Sequence, residues 1–247
     1  MNDTVEQLKQ RLASLAAEPS PEKVDLLNEL ALETNFDDPD QKGKFATQAL
    51  KIARQLSYPR GIAWGLLNQA TRDYFVGAFD AALSKGLESI TLFREVEEEE
   101  GIASALLGLG LVYWSIGQFD RAVESLHESI DKLHRLGIKE REGWARTSLG
   151  GVYESVGDLE KSYECQTRCL ELFRGMEHRL GEGRALTGLG SILQRQGKLD
   201  EALKYHFMSL ELSWEDENDL GESRVLNDIG TLYQAKGDLA QAEEFLS

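Results

Sequence analysis

From residue 101 to residue 140 the apolar and small side chains fall into two stripes with a glycine between them. Leu106, Leu109, Gly110 and Tyr113 stand at i, i+3, i+4 and i+7, the spacing that places side chains on one face of a helix. Gly117 follows where a left-handed residue would end that helix. From about Phe119 a second stripe runs through Ala122, Leu126, Ser129, Ile130 and Leu133, and it would pack back against the first. The pattern predicts a pair of helices joined by a short turn.

The same pattern recurs. Gly117 belongs to the series Gly77, Gly117, Gly157, Gly197 and Gly237, with a constant spacing of 40 residues. Seven residues before them stand Ala70, Gly110, Gly150, Gly190 and Gly230, and two after them Phe79, Phe119, Leu159, Leu199 and Leu239. Five after come Ala82, Ala122, Ser162, Ala202 and Ala242. Gly108 and Gly110 have the spacing of a phosphate-cradling loop, but such a loop follows a strand and occurs once per nucleotide site. Here the pattern occurs five times inside helical periodicity, so the glycines are architectural. A small residue kept at one place in every unit predicts a close approach of backbones, and a bulky side chain at Gly110 should overpack it at a cost of roughly 1–3 kcal/mol.

These periods divide the chain into residues 60–247, five 40-residue units with the last incomplete, and two upstream parts. Residues 21–59 read as a divergent helix pair serving as a cap, with Leu26, Leu27 and Leu30 on one helix and Ala46, Ala49, Leu50 and Ala53 on the next. Residues 1–20 read either as a further amphipathic helix through Val5, Leu8, Leu12 and Leu15 or as a tail, with Pro19 and Pro21 as the break. The closing stretch AQAEEFLS cuts the last helix short, so the chain reads as part of a longer one with an output domain expected downstream of Ser247.

Charge narrows the partners. A formal net charge of -16 opposes the counterion-release attraction that drives binding to nucleic acid or anionic membranes, and neither is expected as a partner. No apolar run reaches the roughly 20 residues that span a bilayer, the first ten residues are polar, and the chain reads as cytoplasmic. Cys165 and Cys169, with His127, His134, His178 and His206, supply neither a four-ligand zinc set nor a nucleophile with its base. No catalytic, metal or cofactor residue is assigned, and Cys169 is expected at the small second-helix position shared with Ser129 and Ser209. The acidic run from Glu95 to Glu100 reads as a solvated turn.

The units resemble the tetratricopeptide repeat. Its motif L-x-x-L-G-x-x-Y…A-x-x-x-L is carried by Leu106, Leu109, Gly110, Tyr113, Ala122 and Leu126, and again by Leu226, Ile229, Gly230, Tyr233, Ala242 and Leu246. Arg146 replaces the first leucine of one intervening unit and Leu193 the tyrosine of the other. The family's repeat is about 34 residues, so 40 implies longer helices or turns. The longer repeat is similar to those of Pins-type adaptors, Rap-type peptide-responsive regulators and sensory regions of bacterial kinases and cyclases. The D-D-P-D stretch at 37–40 is similar to the start of the bacterial signalling versions.

The resemblance implies an all-α, right-handed superhelical solenoid of antiparallel helix pairs, with the first helix of each pair lining a concave groove for a protein or peptide ligand. Transferred to this chain, that groove takes Trp64, Leu67, Tyr74, Phe75, Leu107, Trp114 and Trp144 in an aromatic half. Arg184, Thr187, Gln194, Arg195, Arg224, Asn227 and Gln234 form a polar, locally basic half. Aromatic anchors would bury apolar side chains while guanidinium groups hold carboxylates. The competing assignment packs Trp64 and Trp144 between neighbouring units and pairs the arginines with acids. The expected function is an interaction module, the sensory or scaffolding part of a larger bacterial signalling protein, without enzymatic turnover. The alternatives are a peptide-responsive allosteric regulator of the Rap type and a scaffold that self-associates through a terminal edge.

Overall fold

The computed structural model describes residues 3–15, 18–34, 38–215 and 219–246; Asp37 of the D-D-P-D stretch and Ser247 lie outside the described residues. Thirteen helices and no strand occur among the described residues. In chain order they are α1 (Asp3–Ser14), α2 (Pro21–Glu33), α3 (Pro39–Gln55), α4 (Pro59–Phe75), α5 (Phe79–Glu95), α6 (Glu99–Ser115), α7 (Phe119–Leu136), α8 (Lys139–Val156), α9 (Leu159–Gly175), α10 (Arg179–Arg195), α11 (Leu199–Glu215), α12 (Asp219–Lys236) and α13 (Leu239–Leu246). The fold is all-α, built of antiparallel helix pairs in sequence. Residues 1–132 and 133–247 form two compact units.

The 40-residue period is explained by helix length. α4, α5, α9, α10 and α11 each have 17 residues, and only three residues separate α4 from α5 and α5 from α6. Both kinds of turn use one device. After the first helix of each pair, Gly77, Gly117, Gly157, Gly197 and Gly237 take φ between 76° and 85°, and the next residue donates its N–H back five positions, as Gln118 does to the Tyr113 carbonyl at 2.8 Å. This closes the carbonyls that a helix end leaves open. Between pairs, Ser57, Glu97, Gly137 and Glu177 do the same at φ 51–71°, with Glu98 donating to the Phe93 carbonyl at 2.9 Å.

In the first unit, α1 lays Leu8 against Leu26 and Leu30, and α2 packs Val24 and Leu27 on Ala49 and Ala53 of α3. Three of its polar side chains, Lys42, Asn28 and Asn68, are buried with partners. Lys42 donates to the Ala31 and Leu32 carbonyls at the end of α2, and burial pulls its pKa down to about 8. Asn28 donates to the Gly61 carbonyl at 3.1 Å, and Asn68 donates to the Asn28 carbonyl at 3.1 Å. At Gly110 the close neighbour is a side chain where a backbone was expected: a Cβ there would lie 2.6 Å from Cγ of Leu126. Gly101 is tighter still, with a Cβ placed 2.3 Å from the Phe93 ring.

The second unit has its core on Leu186, Leu189, Leu193, Leu210, Ile229 and Leu232. Arg146, where the motif has leucine, turns to the buried Glu142 at 2.7 Å, and His134 reaches the same carboxylate at 3.1 Å. That residue-to-residue+8 pairing repeats as Arg174–Glu182 at 2.7 Å and as Trp214 Nε1 donating to Glu222 at 2.8 Å. A second repeated bond ties each second helix to the first. Ser89, Ser129, Cys169 and Ser209 each donate to the carbonyl 26 residues earlier, at 2.8–3.2 Å. Cys169 thus occupies the same structural position as the serines. Burial pushes the thiols of Cys165 and Cys169 up to about 11, which keeps both protonated near neutral pH.

Candidate functional site

The six sequence-derived groove residues of the first unit lie on two helices, α4 and α6. Trp64, half-buried on α4, meets Phe93 edge-on with centroids 5.0 Å apart. Leu67 is buried on α4, facing the place on α6 where Gly108 leaves room for it. Tyr74 packs edge-on against Phe75 at 5.3 Å and leans on Phe79 at 5.9 Å, leaving Phe75 43% exposed at the end of α4. Trp64 and Tyr74 are ten residues apart, about 15 Å along the helix. Leu107 and Trp114 are half-buried on α6.

In the second unit, three of the predicted residues come together. Arg184 of α10 and Arg224 of α12 line a shallow cleft of about 30 Å³, open to solvent, and Thr187 lines its wall. Its floor is α11, through Ser209, Leu212 and Ser213. The two glycines Gly183 and Gly221 keep its sides bare. The sequence reading missed Arg179 and Leu180, which complete the rim at the start of α10. A weak signal existed: the position of Arg179 holds Lys139 one unit earlier.

The electrostatics of this cleft are unusual for a chain of net charge -16. Three arginines line it and, among the described residues, no acidic side chain does, although Arg224 acts on the Asp228 carboxyl of its own helix, opposing the rise that burial causes there. The Arg184 guanidinium lies 5.3 Å above the Trp144 ring, which in turn packs on Phe173 at 4.8 Å and His178 at 5.7 Å. Burial lowers the pKa of Arg184, and the like charge of Arg224 lowers it further. Trp144 therefore serves as the platform of an arginine as well as a packing residue. The hydroxyls are already engaged: Thr187 and Ser209 both bond the Gly183 carbonyl, at 3.1 and 3.0 Å, and lie 3.0 Å from each other. Ser213 donates to the Ser209 carbonyl at 3.2 Å.

The remaining predicted residues lie elsewhere on the same helices. Arg195, at the end of α10, donates to the Glu154 carbonyl at 2.7 Å and pairs with its carboxylate at 3.3 Å. Gln194 is half-buried beside it, while Asn227 and Gln234 are exposed on α12. Among the described residues no group of three or more histidine, cysteine or acidic side chains is placed to hold a metal ion. No described helix is long and apolar enough to cross a membrane.

Family models described as tetratricopeptide repeat match residues 105–139, 140–213 and 182–247. No curated protein matches the sequence. Among solved structures, a Rap protein complexed with competence and sporulation factor is 14% identical with a TM-score of 0.75, over 99% of this chain and 75% of that one. BtubC (BKLC) from P. vanneervenii is 17% identical with a TM-score of 0.72, over 84% of this chain and 88% of that one. A signal-transduction ATPase with a tetratricopeptide repeat sensor from Pyrococcus horikoshii is 15% identical with a TM-score of 0.70, over 98% of this chain but only 37% of its own. At such identities these likenesses speak for the fold alone.

Proposed function

The chain belongs to the tetratricopeptide repeat family, and on that premise we propose that it is a protein- or peptide-binding module, the sensory or scaffolding part of a bacterial signalling protein, acting without turnover. The observation that carries this reading is the cleft between α10 and α12. Arg184 and Arg224 are brought together there despite their mutual repulsion, with Arg184 over the Trp144 platform and no acidic side chain among the described residues of the lining. Holding like charges in a partly desolvated cleft costs stability, and an anionic group on a partner recovers it. Guanidinium groups suit such recognition because they present donors in a planar fork. The aromatic residues Tyr74, Phe75 and Trp114 would supply apolar anchoring on the first unit.

The test is a capture comparison. Native chain and an Arg184→Gln/Arg224→Gln variant, matched in helicity by circular dichroism, are used as bait in lysate of the source cell. Loss of a defined protein from the variant supports the reading; an identical set of partners sinks the assignment of this cleft. The similarity of nearly the whole chain to a Rap protein complexed with competence and sporulation factor favours a second reading, a ligand-responsive regulator. A captured ligand that lowers the radius of gyration in solution scattering would support it, and an unchanged radius would leave the scaffold.

A further inference from the structure

The helices α4, α6, α8 and α10 each follow a turn between pairs, and one register position opens them all: Tyr58, Glu98, Ile138 and His178. The first three side chains make no bond to their own helix start; the Tyr58 hydroxyl donates to Asp25 at 3.1 Å, and Glu98 accepts from Arg60 at 2.8 Å. His178 differs. Its Nδ1 turns back onto α10 and accepts the N–H of Gly181 at 3.0 Å. Gly181 is buried, so close to Phe173 that a Cβ would lie 2.4 Å from the ring. A first-turn amide has no carbonyl of its own helix to reach, so this buried donor depends on the imidazole, and leaving it unmet is costly.

An imidazole accepts in this way only while Nδ1 keeps its lone pair, so the neutral ring carries its proton on Nε2, which lies 3.5 Å from the Glu140 carboxylate of α8. A second proton would occupy Nδ1, facing the Gly181 N–H, and would place a positive charge at the positive end of α10. The other side of the ring favours that charge. Glu140 and the Trp144 ring at 5.7 Å face it from α8, and the Phe173 ring at 5.1 Å faces it from α9. Of the remaining charges around this turn, Arg174 of α9 is paired with Glu182 of α10 at 2.7 Å, Arg184 stands over Trp144, and Glu177 and Arg179 flank the histidine in the chain. We propose that His178 is a proton-operated clasp: as the imidazole it holds the first turn of α10, and as the imidazolium it releases that turn and pairs with Glu140. Arg60 of α4 and Glu98 at the start of α6 make the corresponding tie in the first unit, 38 residues apart like Glu140 and His178, from two side-chain types that keep their charge near neutral pH. The clasp does not depend on what the cleft binds, but Arg179 and Leu180 of the released turn form its rim, so acidification reshapes that rim.

The experiment is NMR on the whole chain from about pH 7.5 down to about pH 5, the interval in which histidine changes charge. Nitrogen shifts report the His178 ring, and hydrogen exchange, corrected for its intrinsic pH dependence, reports the Gly181 amide. The protection of Gly181 should fall by about fivefold as the ring takes up its proton, the fold-change of a typical lost cap. His178→Asn supplies a capping side chain that does not titrate, and should keep the protection level across the range. Glu140→Gln removes the acceptor of the charged form and should move the ring's midpoint to lower pH. The Lys161 amide is the internal control. Asp158 caps it in the same way at 3.2 Å, and the hydrogen bonds from Lys161 hold that carboxyl below its ordinary range, so its protection should stay constant. A ring that remains neutral down to about pH 5, or one that titrates while Gly181 keeps its protection, would overturn the proposal. An equal fall in His178→Asn, or at Lys161, would overturn it too, by tracing the loss to a general loosening of the fold.

Discussion

At the scale of single residues, the turns separate two costs that usually come together. Gly117 has φ of 76° and nothing within 4 Å of where a Cβ would sit, so Gly117→Ala meets no clash and tests the backbone alone. A left-handed non-glycine residue costs roughly 1–2 kcal/mol, and alanine recovers roughly 0.4–1 kcal/mol by narrowing the unfolded ensemble. The net expectation is a loss of about 1 kcal/mol, read as a lowered midpoint in urea. Glu97 is the mirror case, an exposed glutamate at φ of 53°. The same two magnitudes with opposite signs make Glu97→Gly stabilising by a few tenths to about 1 kcal/mol. If Glu97→Gly lowers the midpoint, the side chain contributes something that the backbone does not explain. The contrast also marks what sequence could reveal. The turn inside each pair was legible because it kept glycine five times, at 77, 117, 157, 197 and 237. The turn between pairs was not, because Ser57, Glu97 and Glu177 adopt the same conformation without its signature residue.

At the scale of elements, the second helices share a register whose occupants differ in chemistry. Leu126, Gln166, His206 and Leu246 stand 40 residues apart, and each packs against the glycine of its partner helix, at Gly110, Gly150, Gly190 and Gly230. The stripe and its glycines were read from periodicity alone, but what a buried histidine does there was not. His206 is fully buried, and among the described residues neither ring nitrogen has a hydrogen-bond partner. The Asp228 carboxylate is 4.0 Å from Nδ1. Burial pulls the His206 pKa down to about 4, against about 6.5 in an unfolded chain. Above pH 6.5 the ring is neutral in both states and costs nothing further. As pH falls from 6.5 to 4 the unfolded chain takes up a proton that the folded one refuses, so stability declines by roughly 3 kcal/mol in total and then levels off. Asp228 acts in the opposite direction, since burial raises its pKa and stabilises the protonated folded form as pH falls. His206→Leu places at this position the residue already present at 126 and 246. The variant should lose the His206 part of the decline, so its stability advantage over the native chain grows from pH 7 to pH 4. A constant difference across that range would mean that the ring is not buried in solution. The cleft was legible only in part for a similar reason. Arg184, Thr187 and Arg224 share one helical face by periodicity, whereas Arg179 and the α11 floor join them through packing of three helices that no single period encodes.

At the scale of the whole molecule, the cleft works against the charge of the chain that carries it. The net charge of -16 repels an anionic partner at long range, while the arginines attract it only near contact. Screening separates the two, because the Debye length falls from about 30 Å at 10 mM salt to about 10 Å at 100 mM. Added salt over that interval removes the diffuse repulsion first and leaves the short-range guanidinium contacts less affected. The association rate constant of an acidic partner should therefore rise between about 10 and 100 mM salt and fall only beyond, the reverse of ordinary electrostatic steering, where salt slows association throughout. The dissociation rate should increase with salt over the whole range, since it reports the contacts alone. Stopped-flow measurement with a captured partner decides it. A rate that falls from the lowest salt onward would mean that the basic cleft governs the approach of the ligand, and that the acidic surface lies too far from it to oppose capture.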